Sequence, residues 1–188
     1  MSTPSTATKP LRADARRNRE RILKAAAKEI AEHGRTVQME DIARAAGVGV
    51  GTIYRNFPTK QALEDALWEA KTARVIAISQ RAAENPDPWG AVVQLFEEGT
   101  AMQVKDLGWC EALGITGGGY TTETAPPELL EAGTTVLDRA HKAGVLRKDF
   151  GFDDIRNVFG AMAAVIAARG AAGRESMLPV ILDGLRAR

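Results

Sequence analysis

Between Gln38 and Phe57 the sequence QMEDIARAAGVGVGTIYRNF gathers side chains suited to gripping a polyanion. Thr52 and Tyr54 carry hydroxyls that can donate to phosphate oxygens, and Arg55 can clamp a phosphate or reach the acceptor edge of guanine. Gly51 has no side chain to hold a backbone or base edge away, and Val50 offers a small apolar contact for a thymine methyl. Lys60 adds an ammonium beside this set. The chemistry implied is reversible recognition of double-stranded DNA, with no bond made or broken.

Such groups work only if a short helix presents them on one side and is held from the other. Met39, Ile42, Ala43 and Ala46 share one helical face over Met39 to Ala46, and a second short helix is predicted from Val50 to Phe57, stopped by Pro58. Ala43 and Ala46 are small where the two helices must cross, and Gly47 supplies the left-handed backbone of a tight turn. Ile42, Val48, Ile53 and Phe57 form the buried side that fixes the crossing angle. The arrangement is a helix-turn-helix, whose second helix enters the major groove.

The stretch Ala46 to Leu63, AGVGVGTIYRNFPTKQAL, closely resembles the DNA-binding signature of the TetR family of regulators. Arg19 to Leu23 (RERIL), His33-Gly34 and Asp41-Ile42-Ala43 stand at that family's usual offsets, so the resemblance covers about residues 13 to 68. It implies an all-α protein with an N-terminal three-helix DNA-binding domain, a C-terminal helical domain for ligand binding and dimerisation, and repression of genes by a homodimer on operator DNA. Two positions depart from the pattern. Gln38 stands where the family often has Thr or Ser near the start of its second helix, a poorer cap, and Thr36 is expected to take over phosphate contact beside it. Ile30 and Ala31 replace an aromatic near the end of the first helix.

Charge is distributed as a DNA-binding head on a separate body would require. Residues 1–60 hold 12 Lys and Arg against 6 Asp and Glu, while the remainder holds 13 against 18, so a basic front precedes a mildly acidic rear. Arg12, Arg16, Arg17, Arg19 and Arg21 are either a minor-groove arm or a solvated helix start.

The remaining sequence is read as further helices, about nine in all, with no sheet. Residues 1–11, rich in Pro and small polar residues, are expected to be a disordered tail. Residues 12–60 form the DNA-binding domain and 61–188 the ligand-binding and dimerisation domain. Helices are predicted from Ala13 to His33, from Lys60 to about Ala83, after the cap Asp87 to about Asp106, from Glu128 to Ala143, from Phe152 to Arg169 and from Ser176 to Ala187. Gly114 to Pro127, with Gly117, Gly118 and Gly119, is the long irregular loop.

In the last two helices, Ile155, Val158, Phe159, Met162, Val165 and Ile166 form a broad apolar face, and Leu178, Ile181, Leu182 and Leu185 follow helical spacing. They are expected to pair across a two-fold axis as a four-helix bundle. A cavity for an unidentified small-molecule effector would draw its lining from Phe96, Met102, Trp109, Leu113, Phe159 and Met162, with Trp89, Cys110 and Tyr120 as further candidates. An ordinary core accommodates each of these equally well. Glu97, Glu98 and Glu111 would attract a cationic ligand if they faced it, although helix carboxylates usually face water.

Catalysis finds no support. There are two histidines, His33 and His141, and no nucleophile elbow or phosphate loop. Gly117-Gly118-Gly119 lacks the lysine and strand of a phosphate cradle. The single cysteine, Cys110, excludes an intramolecular disulfide and a Cys-based zinc site. No cofactor is expected. No apolar run reaches the roughly 18 residues of a membrane span, and a cytoplasmic protein is expected. The competing reading is a DNA-binding regulator that answers to a protein partner or acts as an activator, favoured if the C-terminal core has no cavity.

Overall fold

The helical spacing of Ile22, Ala26 and Ile30 is realised in α1 (Thr8–His33), which buries all three. The computed structural model describes residues 8–114 and 120–187. Helix α1 begins inside the stretch 1–11 expected to be a disordered tail, so residues 8–11 are helical; Pro10 sits in the first turn, where a missing N–H is tolerated. Residues 1–7, and Gly117, Gly118 and Gly119 of the expected loop, lie outside the described residues. A 3-10 turn at Gly34–Thr36 leads to α2 (Met39–Ala45) and α3 (Val50–Asn56), followed by α4 (Lys60–Glu84), α5 (Pro88–Ala112), α6 (Pro127–Lys142) and α7 (Phe152–Leu185).

Seven α-helices therefore stand among the described residues where about nine were expected. Helix α5 runs on to Ala112, past the end expected near Asp106. One cause of the lower count is visible. The last two expected helices adjoin without a loop: α7 is interrupted only at Gly170, whose φ of 63° and ψ of −149° leave the helical region. That backbone conformation is open essentially to glycine alone. Helix starts have local explanations. The Thr59 Oγ1 accepts from the Ala62 N–H at 3.1 Å, and the Asp87 carboxylate accepts from Trp89 and Gly90 N–H at 3.1 and 2.9 Å.

Two hydrophobic cores result. One gathers Ile22, Ile30, Ile42, Ile53, Phe57 and Leu63, and the other Val92, Phe96, Val136, Leu146, Met162 and Ile166. Two helices serve both. Helix α4 gives Leu63 and Leu67 to the first and Ile78 and Ala82 to the second, while α5 gives Leu95 and Phe96 to the second and Trp109 and Cys110 to the first. Gly108 allows the close approach of α5 to α1, since a Cβ there would lie 2.8 Å from that of Ala31.

The apolar faces of α7 turn inward. Met162, Ile166, Leu178 and Leu185 are buried in their own chain, and Ile155, Val158, Phe159, Ile181 and Leu182 pack against the same core. The single chain covers these faces only in part: Ile155, Val158, Phe159, Ile181 and Leu182 stay partly buried, and Val165 lies outside the core. Met177 and Val180, 38% and 63% exposed, occupy the outer side instead. Near the C-terminus Leu146 and Arg186 form an isolated antiparallel bridge, closed by Arg147 N–H to Leu185 O at 2.9 Å. Among the described residues no helix is long and apolar enough to cross a membrane.

Candidate nucleic-acid interface and interior cavity

Helices α2 and α3 meet through Ile42, Ala43 and Ile53, with Phe57 closing the far end, and all four are buried. Gly47 makes the turn between them with a φ of +62°. The Ala46 and Gly47 carbonyls are fixed from outside: Arg21 of α1 donates to them at 2.6 and 3.0 Å. Arg19 lies with its guanidinium carbon 4.7 Å from the centre of the Phe57 ring. Arg16 and Arg17 pair with Glu20 and Asp14 on their own helix. Two of the five N-terminal arginines thus brace the helix-turn-helix, a role sequence spacing did not reveal because the partners lie 25 or more residues away. The side chain of Arg12 lies outside those described.

With Ile53 pointing inward, α3 leaves Val50, Gly51, Tyr54 and Arg55 on its outer side, and Val50 and Tyr54 are 46% and 41% exposed. An apolar and an aromatic residue in water at that level, side by side with a guanidinium, form a surface suited to a groove. Thr52 is half-buried and accepts from Arg55 at 3.1 Å. The Tyr54 hydroxyl donates to Glu40 of α2 at 3.1 Å, and this bond, more than burial or the carboxylate's charge, holds the phenol above its usual pKa. It stays protonated, its one proton engaged by Glu40.

The remaining expected contacts are held differently. Thr36 and Gln38 are exposed. The Thr36 hydroxyl donates to His33 O at 3.0 Å, and Gln38 caps nothing with its side chain but donates to Thr36 O at 2.7 Å. Lys60, expected to reach DNA backbone, is half-buried and donates to the carbonyls of Arg35 and, at 2.6 Å, Val37. The cause is the 3-10 turn, which directs those oxygens toward the start of α4. In this conformation Lys60 secures the segment carrying Thr36 and Gln38.

A second feature lies in the body of the protein. Helices α4, α5, α6 and α7, with Tyr120, border a partly open cavity of about 170 Å³. Space is left because two glycines face aromatic rings: a Cβ at Gly99 would come within 2.5 Å of Phe159, and one at Gly133 within 2.6 Å of Phe152. Trp68, Tyr120, Phe152 and Phe159 line the cavity together with Met102. Tyr120 is held by a 2.5 Å hydrogen bond between its hydroxyl and that of Thr72. Polar lining comes from Lys71, Ser79, Gln103 and Arg156.

Of the residues expected to line a cavity, the structure places Met102, Phe159 and the further candidate Tyr120 there. Phe96 and Met162 are fully buried in the surrounding core, Phe96 meeting Phe150 edge-on and Phe159 at a tilt. Trp109 is buried in the first core and Leu113 packs against it, because the last turns of α5 face α1. Trp89 also lies outside the cavity wall, against Arg186. Glu97, Glu98 and Glu111 do not line the cavity either; Glu98 pairs with Arg81, which lowers its pKa. Cys110, which has no basic neighbour in sequence, has one in space: Lys71 Nζ lies 3.2 Å from its Sγ. Burial nevertheless outweighs that ammonium and raises the thiol's pKa.

Comparison with known proteins bears on both features. Residues 22–67 match the family model of bacterial regulatory proteins of the tetR family, and residues 87–187 match that of the SbtR-like transcriptional regulator C-terminal domain. A curated HTH-type transcriptional regulator from Staphylococcus aureus is 40% identical over 78 residues, 39% of this chain; the chain spans 40% of that relative's length. A TetR transcription regulatory protein from Mycobacterium vanbaalenii is 36% identical, with 95% of this chain and all of that one covered and a TM-score of 0.64. A TetR transcriptional regulator from Streptomyces coelicolor is 30% identical, with 90% and 98% covered and a TM-score of 0.65. Similarity of that extent, reaching through the helix-turn-helix and the cavity-bearing body alike, makes this chain a member of the TetR family of transcriptional regulators.

Proposed function

We propose that the protein is a repressor which binds a pseudo-palindromic operator as a homodimer and leaves it when a small molecule occupies the cavity. Residues 12–60 act as the DNA-binding unit and 61–188 as the ligand-binding and dimerisation unit. Val50, Gly51, Thr52, Tyr54 and Arg55 face the major groove, with Thr36 and Gln38 beside the backbone. Lys60 joins them once its ammonium leaves the Arg35 and Val37 carbonyls. The protein works in the cytoplasm.

The observation that carries this reading is the course of α4. Its first turns bury Leu63 and Leu67 in the core beneath α3, and its later turns supply Trp68, Lys71 and Ile78 to the cavity. A ligand that binds one tilt of α4 better than another shifts the position of the reading head by the difference in its affinities. Met177 and Val180, apolar and exposed on α7, support pairing of two copies through that side. Two heads in such a pair would sit about 34–36 Å apart or a multiple of it. A cavity of this kind favours a small-molecule signal over a protein partner.

The test is selection of bound duplexes from random DNA by the full chain, followed by gel shift on the winner. Recovery of an inverted repeat with half-sites one or two helical turns apart supports the reading. Recovery of no repeat, or of a half-site bound by a single subunit, overturns it.

A further inference from the structure

The cavity is lined by two cations, and no carboxylate stands among its described lining residues. Lys71 has the Cys110 thiol as its hydrogen-bond partner at 3.2 Å. Because burial raises that thiol's pKa, the partner is uncharged at neutral pH and a weak acceptor. Trp68 and Trp109 present rings 5.6 and 5.7 Å from the ammonium, which stabilise the cation without neutralising it. Cys110, Asp106 and Glu111 line a neighbouring groove that Lys71 shares; Asp106 there is engaged by Arg74 at 2.6 Å. Arg156, itself exposed, adds a second charge; it makes no ion pair within 4.0 Å among the described residues, although its charge helps to lower the pKa of Asp153. A partly desolvated ammonium beside apolar walls is stabilised by an anion far more than it would be in water.

A third group points to a donor on the same ligand. Gln103 Nε2 donates to the Phe159 carbonyl at 2.9 Å, which fixes the amide's orientation. Its Oε1 is buried without a hydrogen-bond partner, an acceptor left open in a protein interior. Size and walls set the rest. An engineered apolar cavity of about 150 Å³ holds one benzene; this one opens to solvent and offers about 170 Å³ between Tyr120, Phe152, Phe159 and Trp68, itself 39% exposed.

We infer that the ligand of this cavity is a single-ring aromatic carboxylate bearing a hydroxyl, its carboxylate drawn to Lys71 and Arg156 and its hydroxyl donating to Gln103 Oε1. The inference rests on the effector reading above and names the ligand class that reading leaves open.

Calorimetric titration of the full-length protein with benzoate, the three hydroxybenzoates, benzamide and benzylamine tests it. At least one hydroxybenzoate is expected to bind about five-fold tighter than benzoate, as one added hydrogen bond gives. Benzamide and benzylamine should bind at least about ten-fold more weakly than benzoate. Lys71→Met should erase the preference of benzoate over benzamide, and Lys71→Arg should restore it. The inference is overturned if the amine or the amide matches the acids, if benzoate outbinds every hydroxy isomer, or if nothing binds at millimolar concentration. Gel shift separates the two claims. An acid that binds without changing DNA affinity supports the ligand class and defeats the effector reading, whereas release of DNA by another compound alone defeats the ligand class.

Discussion

The Arg21 guanidinium reaches from the middle of α1 to the Ala46 carbonyl, 2.6 Å away and 25 residues along the chain. It thereby ties the turn between the two helices of the helix-turn-helix to α1. Gly47 accepts from the same guanidinium at 3.0 Å, so both carbonyls of the turn are satisfied by one side chain. Arg21→Ala is expected to destabilise the fold by about 1–2 kcal/mol and to weaken operator binding further by loosening the angle of α3. Urea unfolding beside gel shift checks this; full affinity in the variant would dissociate the turn from recognition.

Tyr54 and Glu40 make opposing predictions. Tyr54→Phe removes a hydroxyl suited to a phosphate and should weaken operator binding about ten-fold. Glu40→Gln removes a carboxylate that would face the phosphates next to Tyr54, and should strengthen binding several-fold at low salt. Fluorescence anisotropy with labelled operator measures both. Equal effects of the same sign would mean that Tyr54 acts only by positioning α2.

Salt would report how many phosphates the proposed dimer neutralises. With about 6–10 contacts, log affinity should fall against log salt with a slope of about −5 to −9. Lys60→Ala should reduce that slope by about one if the ammonium moves to a phosphate on binding, and leave it intact if it stays on the Val37 carbonyl. An anisotropy series in potassium chloride distinguishes the two.

The cavity depends on two missing methyl groups. Gly99→Ala places a Cβ within 2.5 Å of Phe159, and Gly133→Ala places one within 2.6 Å of Phe152. Either should destabilise the protein by about 1–3 kcal/mol through forced ring displacement, and lower ligand affinity more than DNA affinity. Thermal melts with and without ligand measure both effects. A variant with unaltered melting temperature and unaltered ligand affinity would show that the rings yield freely.

Asp149, paired with Arg147 at the surface, contributes modestly to the acid limb of stability. Two hydrogen bonds from Arg147, at 2.7 Å each, hold its carboxyl down to about 2 from an ordinary 3.8. The folded value lies below the unfolded one, so the stabilisation is present above pH 3.8 and is lost as pH falls toward 2. Asp149→Asn should flatten that part of the stability profile in urea titrations at different pH. An unchanged acid limb would assign it to other carboxylates.

The head of the protein was legible in sequence because its information is local. Ala43, Gly47, Ile53 and Phe57 lie within fifteen residues of one another, and spacing alone separates the buried Ile53 from the exposed Tyr54. The cavity was not legible in the same way. Phe96, Trp109 and Met162 have the right chemistry but the wrong neighbours, since which side of α5 faces α1 depends on the crossing of helices far apart in sequence. Lys71 and Gln103 acquire meaning only beside Cys110 and Phe159, 39 and 56 residues away. The apolar faces of α7 were visible from spacing, but spacing cannot distinguish a core of one's own from a seam with a twin.

A Cβ at Gly170 would meet nothing within 4 Å beyond its own helix's backbone, and the twist of its backbone is what is special. A survey of variants would nonetheless find this position intolerant, in a place where a map of contacts shows no reason. The segment beyond it carries Met177 and Val180, so a single torsion aims that outer patch. Length changes in the loops of such a protein should be inherited easily; any side chain at residue 170 should not, and the geometry of a two-copy assembly would drift with it before the fold itself failed.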